Sequence, residues 1–390
     1  MAFVGRVSRW IGTALLWTVI LSSLTLAILP HFLDARYYRG SASSHFDGEH
    51  FFNPDGSDEV FTPANGFATI ARYALGNDDR PAWPARIAVT PARPPARVEG
   101  DRMLATWVGH SSVLVQTAGI NILTDPVWSK SAGPLGFGPT RVAEPGIRFE
   151  DLPKIDLVLV SHDHYDHMDL TTLKRLWDRD KPLIVTSLGN DSVIGQAGVP
   201  ATARDWGGRV AVRPGIDVVV NRGHHWDSRW FTDRNRALWS SFVVRLPSGG
   251  NLFFAGDTGA GDLGWADKAA SYGPIRLALI PIGAFRFTAG QMASGSHIGP
   301  VDAVEVYRRL GAARAIGVHW GTFRLSYEAW DTPPKLLAAA ERCTGQRGFG
   351  TQPIGRTVEV PAYVAPPSRP TLSRVDLLRC LDTPAVKALR

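Results

Sequence analysis

The chain has 390 residues, 44% of them hydrophobic, a net charge of +6 and two cysteines. That is ample apolar material for a buried core, and 39 Gly, 28 Pro and 13 Trp describe a turn-rich globular chain, excluding a coiled coil, a collagen or a disordered polymer. Arginine is dispersed rather than gathered in basic runs, so no nucleic-acid partner is expected, and Cys343 and Cys380 allow one disulfide but neither a thiolate zinc knuckle nor a disulfide framework.

The first element is the apolar run WIGTALLWTVILSSLTLAIL. No Asp, Glu, Lys or Arg falls between Arg9 and Asp34, and about 20 apolar residues suffice to cross a bilayer. LAILPHFLDA lacks a clear small-x-small cleavage site, which argues against a removed signal peptide. Residues 1–33 are therefore expected to be a membrane anchor. Arg6, Arg9 and the terminal amine precede the run, whereas Arg36 and Arg39, offset by Asp34, follow it; the balance places the amino terminus inside and the rest in the periplasm or outside the cell.

Residues 34–100, rich in Gly, Pro and aromatics, read as an extended arm. A globular domain is expected over 101–365, with a C-terminal tail over 366–390. From Met103, alternation around a glycine turn predicts three strands, and IDLVLVS a fourth, buried one. Asp169 stands where a helix cap belongs, before Leu170, Leu173, Leu176 and Trp177 at helical spacing. DVVVNRGHHW, a hairpin through Pro247–Gly250, LALIPIG and AIGVHWG add short strands that end in polar or glycine residues, and helices are expected near 262–272, 300–310 and 334–342.

Between the fourth strand and the helix lies SHDHYDH. His162 and His164, two apart, share a side of extended backbone, and Asp166 and His167 form a second pair on the same loop. Two such pairs can serve two neighbouring cations if distant segments complete the set, and His225, Asp257 and His319 each stand at a strand end. His162, His164 and His225 would hold one ion and Asp166, His167 and His319 the other, with Asp257 bridging and a water or hydroxide shared between them. Imidazole and carboxylate donors without thiolate suit Zn2+ ahead of iron or manganese. His224 adjoins His225, and spacing alone leaves the choice between them open. His110 in WVGHSS and Asp125 in LTDP either line the cleft or steady the ligands.

The order SHDHYDH, HHW, FAGDTG and VHWG resembles the metallo-β-lactamase fold superfamily. Within it, TWVGHSSVLVQTAGINILTDPVWS, DLPKIDLVLVSHDHYDH, PIGAF and HWGTFRLSYEAWDTPPKL are similar to the N-acylphosphatidylethanolamine-hydrolysing phospholipase D group, over about residues 46–342. The resemblance implies a four-layer αββα sandwich with a dinuclear site at one sheet edge, and it selects His225 over His224. It also implies that His297 lies beside the metals near the phosphate, although RFTAGQMASGSHIG departs from the family in length and composition.

The reaction this implies is attack of a metal-bridging hydroxide on a phosphodiester of an amphipathic lipid, giving phosphatidic acid and an alcohol such as an N-acylethanolamine. Asp166, Asp257 and His297 would be the catalytic residues. Two other readings are a hydrolase of a different ester, lactone or phosphodiester, and a membrane-anchored binding protein on the same scaffold.

Overall fold

The computed structural model describes residues 2–33, 36–56, 80–230, 232–287, 291–367 and 372–389. Helix α1 (Ala2–Leu33) contains one stretch, Arg9–Leu29, long and apolar enough to cross a membrane, and none of that stretch is buried against the rest of the chain.

Two seven-stranded sheets follow. The first holds β1 (Met103–Gly109), β2 (Ser112–Thr117), β3 (Ile120–Thr124), β4 (Leu157–Leu159), β5 (Leu183–Ser187) and β6 (Thr202–Arg204) in that order. The second runs β7 (Arg209–Arg213), β8 (Ile216–Asn221), β9 (Ser241–Arg245), β10 (Asn251–Phe254), β11 (Ile275–Pro281), β12 (Arg314–Val318) and β13 (Phe349–Gly350). Strand β14 (Thr357–Glu359) returns to pair antiparallel with β1.

Period-two alternation decides which face meets which layer. Val113, Val115, Leu157 and Leu159 share the inter-sheet core with Phe242, Phe254 and Leu277. Their neighbours Leu114, Val158 and Val160 point the other way, onto α2 (Leu170–Asp180) and α3 (Asn190–Gly195). On the outer side of the second sheet lie α4 (Gly264–Ala270), α5 (Pro300–Arg309) and α6 (Thr332–Thr344), the three helices expected from periodicity. The result is the expected αββα sandwich.

Within the expected arm, residues 36–56 are pinned to the domain: Phe46 and Phe51 bury against Trp239, and the Tyr37 hydroxyl donates to Asp233 at 2.8 Å. Residues 57–79 of the arm lie outside the described residues. The stretch read as a tail is, in its described part, folded onto the domain. It carries α7 (Arg374–Cys380) and α8 (Pro384–Lys387), and Leu377, Leu381 and Val386 enter the core. Cys380 of α7 forms a disulfide with Cys343 of α6.

Candidate metal centre

Strands β3 and β4 are parallel, as are β10, β11 and β12, so their carboxyl ends reach one edge of the sandwich. There the chain leaves β4 into His162–His167, β8 into His225, β10 into Asp257 and β12 into His319. Asp169 caps α2, accepting from Thr172 N at 3.1 Å, which fixes the far end of the histidine loop. Arg229 Nη1 clasps the loop from outside, donating to the Asp163 carbonyl at 2.6 Å and the Met168 carbonyl at 3.0 Å. Gly256, at φ +61°, keeps the Asp257 loop close to the histidine loop: a Cβ there would stand 2.6 Å from Ser161 Cβ.

The side chains converge in overlapping groups whose donor atoms lie within 4.8 Å of one another: His162, His164 and His225; His110, Asp166, His167 and His319; His162, His167 and Asp257; and His225, Asp257 and His297. Asp257 thus stands between the two halves. Its Oδ2 is 3.1 Å from His167 Nε2 and 2.9 Å from His319 Nε2, while its buried Oδ1 has no hydrogen-bond partner.

The far side of each ring explains its orientation. His225 Nδ1 donates to the Ser296 carbonyl at 2.8 Å, His167 Nδ1 to Asp125 Oδ2 at 2.6 Å and His319 Nδ1 to the Gly283 carbonyl at 3.3 Å. His162 Nδ1 donates to Ser161 Oγ at 2.8 Å, which in turn donates to Asp125. Each of these four rings is thereby left to aim Nε2 at the common space, and Nε2 of His167, His225 and His319 is buried without a hydrogen-bond partner. His162 Nε2 and His164 Nδ1 face each other at 2.9 Å, where two lone pairs repel unless a proton or cation lies between. Buried, thiolate-free donors that lack polar partners fit divalent cations.

Electrostatics divides the cluster. Burial pushes His164, His225 and His297 down to about 3. Burial also opposes charge on His319, but the close Asp257 and Asp166 carboxylates outweigh it, pushing the ring up to about 9. His167 is raised well above its ordinary value against the same penalty, chiefly by Asp257 and Asp166. Asp166 and Asp257 are held well below the carboxylate range, since the His167 charge overcomes their burial. Two carboxylates thus demand compensating positive charge, which protons on His167 and His319 supply and a bound cation would replace.

Every ligand position expected from the sequence reaches this edge. His224 turns away to Asp55 Oδ1 at 3.0 Å, so His225 alone of the pair faces the cluster. His110 Nε2 donates to Asp166 Oδ2 at 2.8 Å, and Asp125 backs His167 and Ser161. His297 Nδ1 is 3.8 Å from Asp257 Oδ2. Asp163, between the first two histidines, is directed instead toward Asp227, and burial pushes its carboxyl up to about 7. Sequence reasoning missed the clasp by Arg229 and the two carbonyls of Ser296 and Gly283. An arginine in a polar loop and a backbone oxygen have no signature in composition or spacing.

A buried His/Asp cluster at the strand ends of an αββα sandwich is the site of a metallo-hydrolase. The chain belongs to the β-lactamase superfamily: the family model described as "Beta-lactamase superfamily domain" matches residues 120–320. It is 35% identical over 282 residues to an uncharacterised protein of Mycobacterium tuberculosis, covering 70% of this chain and 72% of that one. It is 34% identical over 244 residues to N-acyl-phosphatidylethanolamine-hydrolyzing phospholipase D 1 of Caenorhabditis elegans, covering 60% of this chain and 68% of the relative. Among solved structures, the isothiocyanate hydrolase from Delia radicum gut bacteria aligns with a TM-score of 0.52 at 17% identity, over 67% of this chain and all (100%) of that one, a likeness of fold. The protein is a metal-dependent hydrolase of this superfamily.

Proposed function

We propose that this protein is a membrane-anchored, dinuclear zinc phosphodiesterase of phospholipase D type, acting on a phospholipid such as an N-acylphosphatidylethanolamine. The observation that carries the reading is Asp257 standing between two clusters of donors, the atoms of each within 4.8 Å of one another. The relative from C. elegans supports the substrate class. The exposed apolar helix α1 supports anchoring, and the Cys343–Cys380 disulfide supports an oxidising compartment for the domain.

In this reading His162, His164 and His225 would hold one ion and Asp166, His167 and His319 the other, with Asp257 placed between them. Two divalent ions, when bound, lower the pKa of a shared water toward neutrality and stabilise charge on the attacking and leaving oxygens. Asp166, itself held by His110, would orient the attacking water. His297 Nδ1, buried and unpartnered beside Asp257, is placed to hydrogen-bond a phosphoryl oxygen or to assist the departing alcohol. Asp125 and the two carbonyls keep the rings from rotating.

The test is full-length protein in detergent, stripped with a chelator, reloaded with zinc, and offered a lipid diester beside a lactone and a thioester. Zinc-restored cleavage of the lipid diester is expected. Turnover of only the lactone or the thioester would move the protein to another hydrolase class, and binding without turnover of any of them would make it a binding protein.

A further inference from the structure

Trp320, the residue after His319, lines a separate cavity of about 370 Å3 to which no member of the His/Asp cluster contributes. Trp107 of β1 and Trp330 line it from the sandwich, Ile87 and Val89 from the arm, and Gln352 from the segment after β13. The Trp320 ring centre is 5.1 Å from that of Trp107 and 6.0 Å from that of Trp330, so the three indoles form one continuous aromatic surface. The arm is fixed where it borders the cavity: Ile87 N donates to the Val142 carbonyl at 2.6 Å and Ala92 N to the Gly146 carbonyl at 2.7 Å. The space is therefore formed before any ligand arrives, and its size falls within the ~300–1,000 Å3 of small-molecule pockets.

Its polar inventory is short. Each indole N–H is spent inside the protein: Trp107 Nε1 on the His110 carbonyl at 2.8 Å, Trp320 Nε1 on the Gly317 carbonyl at 3.0 Å, and Trp330 Nε1 on the Gly321 carbonyl at 3.2 Å. No lining residue carries a charge, and Thr351 is exposed to water. Gln352 differs from all of these. It is 7% exposed, and its Nε2 is buried with no hydrogen-bond partner. A buried amide N–H left unpaired carries a cost that a hydrocarbon side chain would avoid, and an acceptor brought in by a ligand removes it.

We infer that this cavity is a second ligand site, which takes an uncharged aromatic molecule bearing a carbonyl oxygen: its rings lie against the three tryptophans and its oxygen accepts from Gln352 Nε2. Indole faces and edges favour flat rings in stacked or edge-on contact. An anion finds no cation among the lining residues, and a cation would meet the amide donor with no carboxylate to neutralise it. A saturated hydrocarbon chain would leave the amide unpaired. The site is independent of the lipid-diester reading.

The experiment irradiates the full zinc-loaded chain in detergent with benzophenone, an uncharged diaryl ketone that crosslinks where it binds, and maps the label by peptide mass spectrometry. Saturable label is expected on the peptides that carry Val89, Trp330 and Gln352. Fluorenone should suppress it at about fivefold lower concentration than fluorene, the same ring system without the carbonyl, as one hydrogen bond allows. Val89→Trp, which fills the space from the arm, should abolish the label, and Gln352→Met should erase the preference for fluorenone. Because the amide is unpaired in the free protein, Gln352→Met should also leave the denaturant midpoint unchanged or higher. Label confined to α1, or unaltered in Val89→Trp, overturns the inference. Equal competition by fluorene would make the cavity a site for apolar chains, and a lowered midpoint in Gln352→Met would show an amide already engaged within the fold; either result overturns it as well. None of these readouts is turnover, so a protein that cleaves no diester retires the substrate reading and leaves this site standing.

Discussion

Three of the residues at the centre adopt positive φ without being glycine: His110 at 53°, Asp125 at 29° and His319 at 62°. Such backbone is costly for residues with a Cβ, and it persists where surrounding contacts hold it. Here Thr322 Oγ1 accepts from His110 N at 2.8 Å and the His110 carbonyl accepts from His319 N at 3.1 Å, so the strained residues hold one another. Asp125 is the residue through which this precision reaches the His167 ring of the cluster. Replacing it by Asn keeps the shape but weakens the bond to His167, so Asp125→Asn should lower metal affinity about 10–100-fold. Competition with a chromophoric chelator measures this, and unchanged affinity would reduce Asp125 to a partner of Ser161. His297→Ala should behave differently, retaining metal while turnover falls about 10²-fold or more. Metal content measured beside kcat separates the two, since loss of metal would place His297 among the ligands.

Two elements position the centre from outside it. Asp169 does more than cap α2: its Oδ2 also accepts from Trp128 N at 3.2 Å and Ser129 N at 2.9 Å, tying the loop after β3 to the helix. Asp169→Ala should therefore cost about 2 kcal/mol, above an ordinary cap, because buried donors lose their acceptor. The denaturant midpoint at constant slope reads it, and a loss of only a few tenths would show that water replaces the carboxylate. The arm is held at Asp55, which meets His224 at 3.0 Å, Asp262 N at 2.9 Å and Arg222 at 3.7 Å. Partial burial raises its pKa, but the His224 contact and its other partners prevail and hold it below the ordinary range. A carboxylate depressed in the folded state adds stability above its unfolded value, near 4, and loses it as pH falls toward the folded value. Between pH 6 and 3, metal-stripped wild type should lose stability more steeply than Asp55→Asn; parallel curves would remove Asp55 from the account.

At the scale of the whole molecule, the Cys343–Cys380 bond closes 37 residues of chain and fastens α7 to α6. Chain entropy alone assigns it about 4 kcal/mol. The Cys343→Ser, Cys380→Ser pair should lower the denaturant midpoint accordingly while leaving bound metal unchanged, because both sulfurs lie far from the strand ends that carry the cluster. Loss of metal in that variant would mean that the C-terminal helices brace the centre.

The layers and the residues of the His/Asp cluster were legible in the sequence by itself. Period-two runs such as VLVQT and LVLVS have two faces to bury, Asp169 announces a helix start, and imidazoles and carboxylates packed into HDHYDH have few uses apart from cations. Resemblance, not spacing, chose His225, and only the fold shows why: Asp55 draws His224 outward, 169 residues away in sequence. The folding of residues 372–389 onto the core was illegible because short helices acquire their stability from tertiary contacts. The same holds for the tautomer of each ring, set by carbonyls such as those of Ser296 and Gly283, and for the clasp of Arg229. A residue's chemical type is local and can be read from one letter. Which partner it meets depends on how separate strands end at one edge, and that is a property of three dimensions.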